Sequence, residues 1–397
     1  MSFEAPRGTH DILPSEQPLW RTVVAEAERL CALAAYRRID TPTFEDTELF
    51  VRTSGEGSDV VSKEMYAFPD RGGRSLTLRP EATAPICRAY LEHGLHREPQ
   101  PQKLYTIGSM FRYGRPQRGR FREHVQLSVE AIGSDDPGLD AEVITLYDTL
   151  LRNLGVSEYR LELNSIGDTA CRPAYVERLR AWLAEHAGSL DPDTRAQAER
   201  SPLRALDNLA ARPPQTRGVL EQAPTIAGSL CEACREHFAE VRRYLDAFGV
   251  RYELVSTLVR GLDYYTRTTW EFVGPDEGST SVLSGGGRYD GLAEELGGKP
   301  TPGVGFGAGI ERLVLALEDA GLKPPEEPGV DVFFICEDGA DRAAVLARML
   351  ELRASGVRAD ADFAGRSVKG QGTQASRLGA KQVVVVDADT DLSEVSA

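Results

Sequence analysis

Two stretches of this chain place chemically useful side chains at spacings that local structure would bring together. From Val125 to Gly133 the apolar residues Val125, Leu127, Val129 and Ala131 alternate with Gln126, Ser128 and Glu130. Side chains alternate across a strand, so one face is core and the other presents an amide and a carboxylate. Thr106 to Tyr113 leads through a basic loop straight into that strand, and a hairpin would set Arg112 beside Gln126 and Glu130. A carboxylate with an amide suits an ammonium group, and a guanidinium fork suits phosphate. Such a face could join an amino acid to a nucleotide. Leu76 to Glu81 is expected to add Arg79 and Glu81 on one face of a third strand. Taken singly, each of these pairs also fits an ordinary solvated surface.

The second stretch runs from Gly303 to Arg312, with glycine at 303, 305, 307 and 309. As a strand it has one bare face, while Val304, Phe306, Ala308 and Ile310 anchor the other. A flat ligand such as a purine ring could lie against the backbone of Gly307 and Gly309; close strand packing is the alternative. Arg312 follows at a helix start, where backbone N–H groups and a guanidinium together favour phosphate. A dinucleotide-loop reading fails because the glycines alternate and no Rossmann unit surrounds them. Leu258 to Thr266, with Arg260, Tyr264 and Tyr265, and Ser284 to Gly291 combine arginine, tyrosine, aspartate and glycine in a way that core packing does not require. No histidine has a recognisable cysteine or serine partner. The lone CxxC, Cys231 and Cys234, lacks a second pair, so no metal site is read from the sequence.

These residues need a scaffold that the rest of the chain supplies. Leu19, Val23, Ala27 and Leu30 predict an amphipathic helix within 14–36, and Thr41 to Glu45 breaks it. Short β-rich stretches between about 60 and 135 predict an antiparallel sheet with a helix at 83–93, and a further helix is expected at 138–154. Residues 170–248 read as an inserted set of charged, Ala-rich helices broken by Pro202, Pro213 and Pro214. Sheet pattern resumes from about 252 to 309. Proline-rich residues 324–329 read as a linker, and 330–397 as a small α/β domain in which Val332 to Cys336 and Val383 to Val386 flank a helix from Asp341 to Ser355. The fold class is therefore α+β.

Length and composition narrow the function. At 397 residues the chain is too long for a peptide hormone, a disulfide knot or a single small binding module. No apolar run is long enough to span a bilayer, no signal or transit peptide is visible, and six cysteines are too few for a disulfide framework, so reduced thiols and a cytoplasmic setting are expected. A net charge of -15 argues against binding nucleic acid by bulk attraction, but not against a local basic site. Only six of the 46 basic residues are lysine, and Arg112, Arg115, Arg118, Arg120 and Arg122 cluster.

Together these motifs resemble the bacterial histidyl-tRNA synthetases, class II aminoacyl-tRNA synthetases, over nearly the whole chain. Pro6 to Pro14 and Thr41 to Glu45 resemble the family's start and first class motif, which builds a dimer interface. Phe111-Arg112 through Glu130 resembles the second motif, Gly303 to Arg312 the third, and Leu258 to Thr266 the histidine signature. The resemblance implies a class II antiparallel sheet flanked by helices, within a catalytic domain of residues 1–323, and a homodimer. It implies that Glu81, Thr83 and Gln126 hold the histidine α-ammonium, that Glu130 and Tyr265 read the imidazole nitrogens, and that Tyr264 lies beside them. Arg112 and Arg260 would contact the α-phosphate and Arg312 the γ-phosphate, with ATP as substrate and Mg2+ on its phosphates. His124 stands where an aromatic often stacks on adenine, and Ala82 replaces a common glycine. Arg115 and Gln117 would meet the acceptor end of tRNA(His). The chain stops soon after Val383 to Asp387, so 330–397 reads as a shortened anticodon-binding domain. That shortness favours a second reading, a catalytically silent histidine sensor similar to the ATP phosphoribosyltransferase regulatory subunit. Arg112, Arg260, Arg312 and the glycine strand oppose it, because a sensor of histidine needs no phosphate clamp; a pseudo-synthetase that only binds tRNA fails on the same residues.

Overall fold

The predicted opening helix forms at Gln17–Leu33 and buries Leu19, Val23, Ala27 and Leu30 along one side. The computed structural model describes residues 3–54, 60–206, 209, 212–262, 264–275, 282–323 and 329–395. The chain divides into two compact units, Met1–Pro324 and Pro325–Ala397. Of the expected linker at 324–329, all but Gly329 lies outside the described residues.

In the first unit the strands are β1 (Arg37–Arg38), β2 (Phe44–Asp46), β3 (Tyr66–Pro69), β4 (Ser75–Leu78), β5 (Gln102–Phe111), β6 (Glu123–Ile132), β7 (Arg160–Ser165), β8 (Glu253–Leu254), β9 (Thr266–Val273), β10 (Val282–Arg288) and β11 (Gly303–Gly309). Eight of them make one sheet in the order β1-β5-β6-β11-β10-β9-β7-β8. Only the short outer strands β1 and β8 pair in parallel; the six between them are antiparallel. The glycine strand β11 is therefore central, with β6 and β10 as neighbours. Leu127, Val129 and Ala131 of β6 and Val304, Phe306 and Ala308 of β11 enter one core, which the helices Gln17–Leu33, Pro137–Asn153 and Ile310–Asp319 cover. Alternation then sends Gln126, Ser128 and Glu130 to the opposite face. There the helix Thr83–Glu92 and the residues around Tyr264, Tyr265 and Tyr289 form a second core.

The structure corrects one expected strand face. β4 ends at Leu78 and belongs to a separate three-stranded sheet, β2-β4-β3, so Arg79 and Glu81 lie beyond it. Arg79 donates from Nε to the Ser109 carbonyl (2.9 Å) and from Nη1 to the Thr41 carbonyl (2.8 Å), which makes it a buried brace. Prolines in the inserted helices also act differently from expectation. Pro202 and Pro214 occupy the first turn of the helices Pro202–Ala205 and Pro214–Leu220, where the missing N–H costs nothing, so they start helices.

The second unit contains β12 (Val332–Cys336), β13 (Ala359–Ala361) and β14 (Gln382–Val386), parallel and ordered β13-β12-β14. The helix Arg342–Ala354 was expected. β13 and the helix Val368–Arg377 were not, because their apolar positions are too few to set a period.

Candidate active site

An open cleft with about 970 Å³ of empty space lies on the polar face of the main sheet. Eleven of the residues singled out by sequence line it: Glu81, Thr83, Arg112, His124, Gln126, Arg260, Tyr264, Tyr265, Gly307, Gly309 and Arg312. Three others do not. Glu130 lies beneath the cleft, fully buried, and Arg115 and Gln117 are exposed on the connection between β5 and β6.

One end of the cleft is acidic and aromatic. Glu81 does not sit on a strand: its carboxylate accepts the backbone N–H groups of Thr83 (2.6 Å) and Ala84 (2.9 Å), which closes the open N-terminus of the Thr83–Glu92 helix. Thr83 in turn donates its hydroxyl to Glu130 Oε1 at 2.7 Å, and Tyr289 donates to Oε2 at 2.5 Å. Burial pushes the Glu130 carboxyl up to about 8, against the two hydroxyl donors, and nearby Glu81 adds to the rise. Tyr289 is a site residue that sequence reasoning had noticed only as part of a motif.

The bare face of β11 has two uses. A Cβ on Gly305 would lie 1.9 Å from Glu130 Oε2 and 2.5 Å from the Val129 carbonyl oxygen, and one on Gly307 would lie 2.7 Å from Gln126 Nε2. These glycines make room for the polar side chains of neighbouring β6. A Cβ on Gly309 would meet nothing among the described residues closer than 3.8 Å, so of the four β11 glycines it is the one left bare.

The other end is strongly cationic. Arg112 is held by its Nε bond to the Pro80 carbonyl (2.7 Å), and Arg312 by its Nε bond to the Gly119 carbonyl (3.1 Å) and a second bond to Val282. Arg260 pairs with Glu271 and lies across Gly285, where any side chain would collide with its guanidinium. Burial, then the charges of Arg120 and Arg112, pull Arg312 down to about 10; burial chiefly lowers Arg112. His124 falls to about 3 through burial and then the adjacent Arg112 and Arg312, so its imidazole is neutral. Cationic groups that depress one another in this way form an anion site. Phe121, Arg120 and Glu311 also line the cleft; the sequence offered no periodic signal for them because the first two lie in the loop before β6.

Comparison with known proteins agrees with this geometry. The family model for histidyl-tRNA synthetase matches residues 8–313. The chain belongs to the histidyl-tRNA synthetase family. Histidine–tRNA ligases from Dehalococcoides mccartyi and Moorella thermoacetica are 47% and 49% identical to it, over 97% of this chain in each case and 91% and 90% of theirs. The apo histidyl-tRNA synthetase of S. aureus superposes with a TM-score of 0.80 at 38% identity, covering 97% of this chain and 92% of that one. A protein described as an ATP phosphoribosyltransferase regulatory subunit/histidyl-tRNA synthetase, from Bacillus halodurans, is structurally similar at 25% identity and a TM-score of 0.70, covering 98% and 100% of the two chains. The silent-sensor reading is thus not favoured: the curated relatives are ligases at far higher identity.

Proposed function

We propose that this cleft carries out the two steps of a histidine–tRNA ligase: ATP and histidine give histidyl-adenylate and pyrophosphate, and the histidyl group then passes to the terminal adenosine of tRNA(His). The observation that carries this reading is the convergence of Arg112, Arg260 and Arg312 on a cleft whose opposite end holds Glu81, Gln126 and the paired tyrosines. The histidine carboxylate attacks the α-phosphorus and pyrophosphate leaves, so no protein nucleophile is needed. The phosphoryl centre gains negative charge on the way, and fixed guanidiniums from Arg112 and Arg260 stabilise it. Arg312 anchors the γ-phosphate, and the purine lies between His124 and the open backbone of Gly309. Glu81, Thr83 and Gln126 hold the α-ammonium. The Glu130 oxygens already accept from Thr83 and Tyr289, and once ionised this carboxyl has further lone pairs for an imidazole N–H. Tyr265 meets the other nitrogen, with Tyr264 alongside.

Mg2+ would neutralise charge on the phosphates when bound. Glu311 suits it: this cleft carboxylate uses Oε1 to accept the Val125 N–H (2.8 Å), while its buried Oε2 has no hydrogen-bond partner among the described residues. Arg115 and Gln117, exposed on the loop between β5 and β6, are proposed to meet the acceptor end, and the Pro325–Ala397 unit the anticodon. A homodimer belongs to the same proposal. In the β2-β4-β3 sheet Phe44 pairs with Leu78 and Leu78 with Tyr66, while Leu76 pairs with Phe68 on one side and Asp46 on the other, so one face is apolar except for Asp46, yet Phe44 is 51% and Phe68 40% exposed. A second copy would cover it. No helix of the described residues is long and apolar enough to cross a membrane, and a cytoplasmic setting fits a partner such as tRNA.

Histidine-dependent pyrophosphate exchange tests activation without tRNA, and charging of tRNA(His) tests transfer. Arg260→Ala should lose about 3 to 4 kcal/mol of transition-state stabilisation, a fall of roughly 10²–10³ in exchange rate, while histidine binding persists. Exchange within a few-fold of the parent would remove Arg260 from the reacting centre.

A further inference from the structure

The CxxC that stands alone in the sequence has partners in space. Cys231 caps the helix Glu232–Ala247 and Cys234 lies in its first turn. Opposite them, the loop after β7 brings Asp168 and Cys171, the latter capping the helix Arg172–Glu185. One ligand atom from each of these four side chains falls within 4.8 Å of every other, and theirs is the one such group of His, Cys, Asp or Glu side chains among the described residues.

The individual distances have the scale of a filled tetrahedron. Cys171 Sγ lies 3.9 Å from Cys234 Sγ and 3.5 Å from Asp168 Oδ1, and Cys231 Sγ lies 3.9 Å from Asp168 Oδ1. Tetrahedral bonds of about 2.3 Å to sulfur and about 2.1 Å to oxygen require edges of about 3.8 Å between sulfurs and about 3.6 Å between sulfur and oxygen. The carboxylate is oriented by its surroundings: Oδ1 accepts the N–H groups of Ala170 (3.0 Å) and Cys171 (3.3 Å), and Arg267 stands 3.7 Å from Oδ2. Gly167, at φ +67°, leaves no room for a side chain, since a Cβ there would lie 2.7 Å from Cys171 Sγ.

We propose that Asp168, Cys171, Cys231 and Cys234 bind a structural divalent cation of the zinc type. Three sulfurs and one carboxylate oxygen select a borderline-soft tetrahedral ion over Mg2+ or Ca2+, and a closed set of four protein ligands leaves no position for substrate. The ion ties the inserted helices to the catalytic sheet. Arg172, next to Cys171, donates to the Tyr265 carbonyl at 2.6 Å, and Arg267 donates its N–H to the Gly167 carbonyl at 2.7 Å. The ligand loop therefore abuts the segment that carries the paired tyrosines.

The test uses the full chain, produced in zinc-supplemented medium, purified without metal-affinity resin and dialysed under reducing conditions. Elemental analysis should find one zinc per chain, released by a mercurial thiol reagent. The stripped protein titrated with Co2+ should show sulfur-to-cobalt charge transfer and the intense d–d bands of a tetrahedral site. The Cys231→Ser/Cys234→Ser double variant should lose the zinc, and Cys336→Ser, in the other unit, should keep it. Parent protein with no stoichiometric metal and no cobalt uptake overturns the proposal, as does cobalt bound without sulfur charge transfer, a disulfide among these cysteines in the reduced preparation, or a double variant with the parent's zinc content. The parent's zinc and cobalt measurements decide the matter even if the double variant fails to fold.

Discussion

Two glycines four residues apart on one strand should respond to the same substitution in opposite ways. In Gly305→Ala the new methyl group would lie 2.5 Å from the Val129 carbonyl oxygen, which is backbone of the paired strand β6 and cannot rotate away, and 1.9 Å from Glu130 Oε2. The sheet must part locally or Glu130 must leave Thr83 and Tyr289. Overpacking of this kind costs about 1–3 kcal/mol, and stranding a buried carboxyl adds about 1–3 kcal/mol, so a loss of roughly 2 to 6 kcal/mol is expected. Among the described residues Gly309→Ala meets only the Arg312 stem, Cγ at 3.8 Å and Cδ at 3.9 Å, with backbone at φ -71° that alanine adopts freely. Alanine is a poorer helix cap than glycine by several tenths of a kcal/mol, but it also lowers unfolded-state entropy by about 0.4–1 kcal/mol, so stability should change by less than about 1 kcal/mol. If the purine lies on this backbone, however, the methyl group occupies its place. Urea unfolding of both variants, with equilibrium ATP and histidine binding, separates the cases. Gly305→Ala should lose stability and histidine affinity; Gly309→Ala should keep stability and histidine affinity and lose ATP affinity. A Gly309→Ala protein that binds ATP like the parent would refute the purine placement, and a Gly305→Ala protein of parental stability would refute the packing argument.

Three further outcomes follow from buried charges. In the ligand-free protein Glu130 titrates near 8 in the fold against about 4.3 unfolded, so the native state holds the extra proton between those values, and the stability it lends is full at low pH and lost as pH rises through about 8. Urea unfolding at about pH 5 and about pH 8 should show this decline, and Glu130→Gln should flatten it; an unchanged slope removes Glu130 as its source. The same variant should weaken histidine more than ATP, and equal losses would show that Glu130 does not select the amino acid. Asp140→Ala should destabilise the chain by about 3–5 kcal/mol in chemical denaturation, because Arg288, fully buried and bonded from Nε to Asp140 at 3.1 Å, would keep only the partly exposed Asp290, 3.1 Å from Nη1, as a carboxylate partner; a change below about 1 kcal/mol would mean that Asp290 alone, or water, suffices.

The sequence made faces legible and left partners hidden, for a reason visible in particular residues. Alternation along β6 separates Val129 from Glu130 using four or five neighbouring residues, so a strand's core side and polar side can be read locally. Arg112 at the end of β5 and Gln126 on β6 are likewise joined by a hairpin of short reach. What Glu130 does there depends on Tyr289, 159 residues away, and what Arg288 does depends on Asp140, 148 residues away. No period connects such pairs; only the finished sheet, which places β10 beside β11 and β11 beside β6, brings them together. Glu81 shows the opposite error. Its spacing from Arg79 implied a shared strand face, but the strand ends three residues earlier and the carboxylate closes a helix instead, because unpaired N–H groups at a helix start attract a nearby anion more strongly than a solvated edge does. The glycines of β11 show that one motif can have two causes. Their alternation is required at 305 and 307 by side chains of the neighbouring strand, and only Gly309 remains free to meet a ligand. A repeated residue type therefore fixes where a face is bare, while the atoms standing over each position decide whether that bareness serves packing or binding.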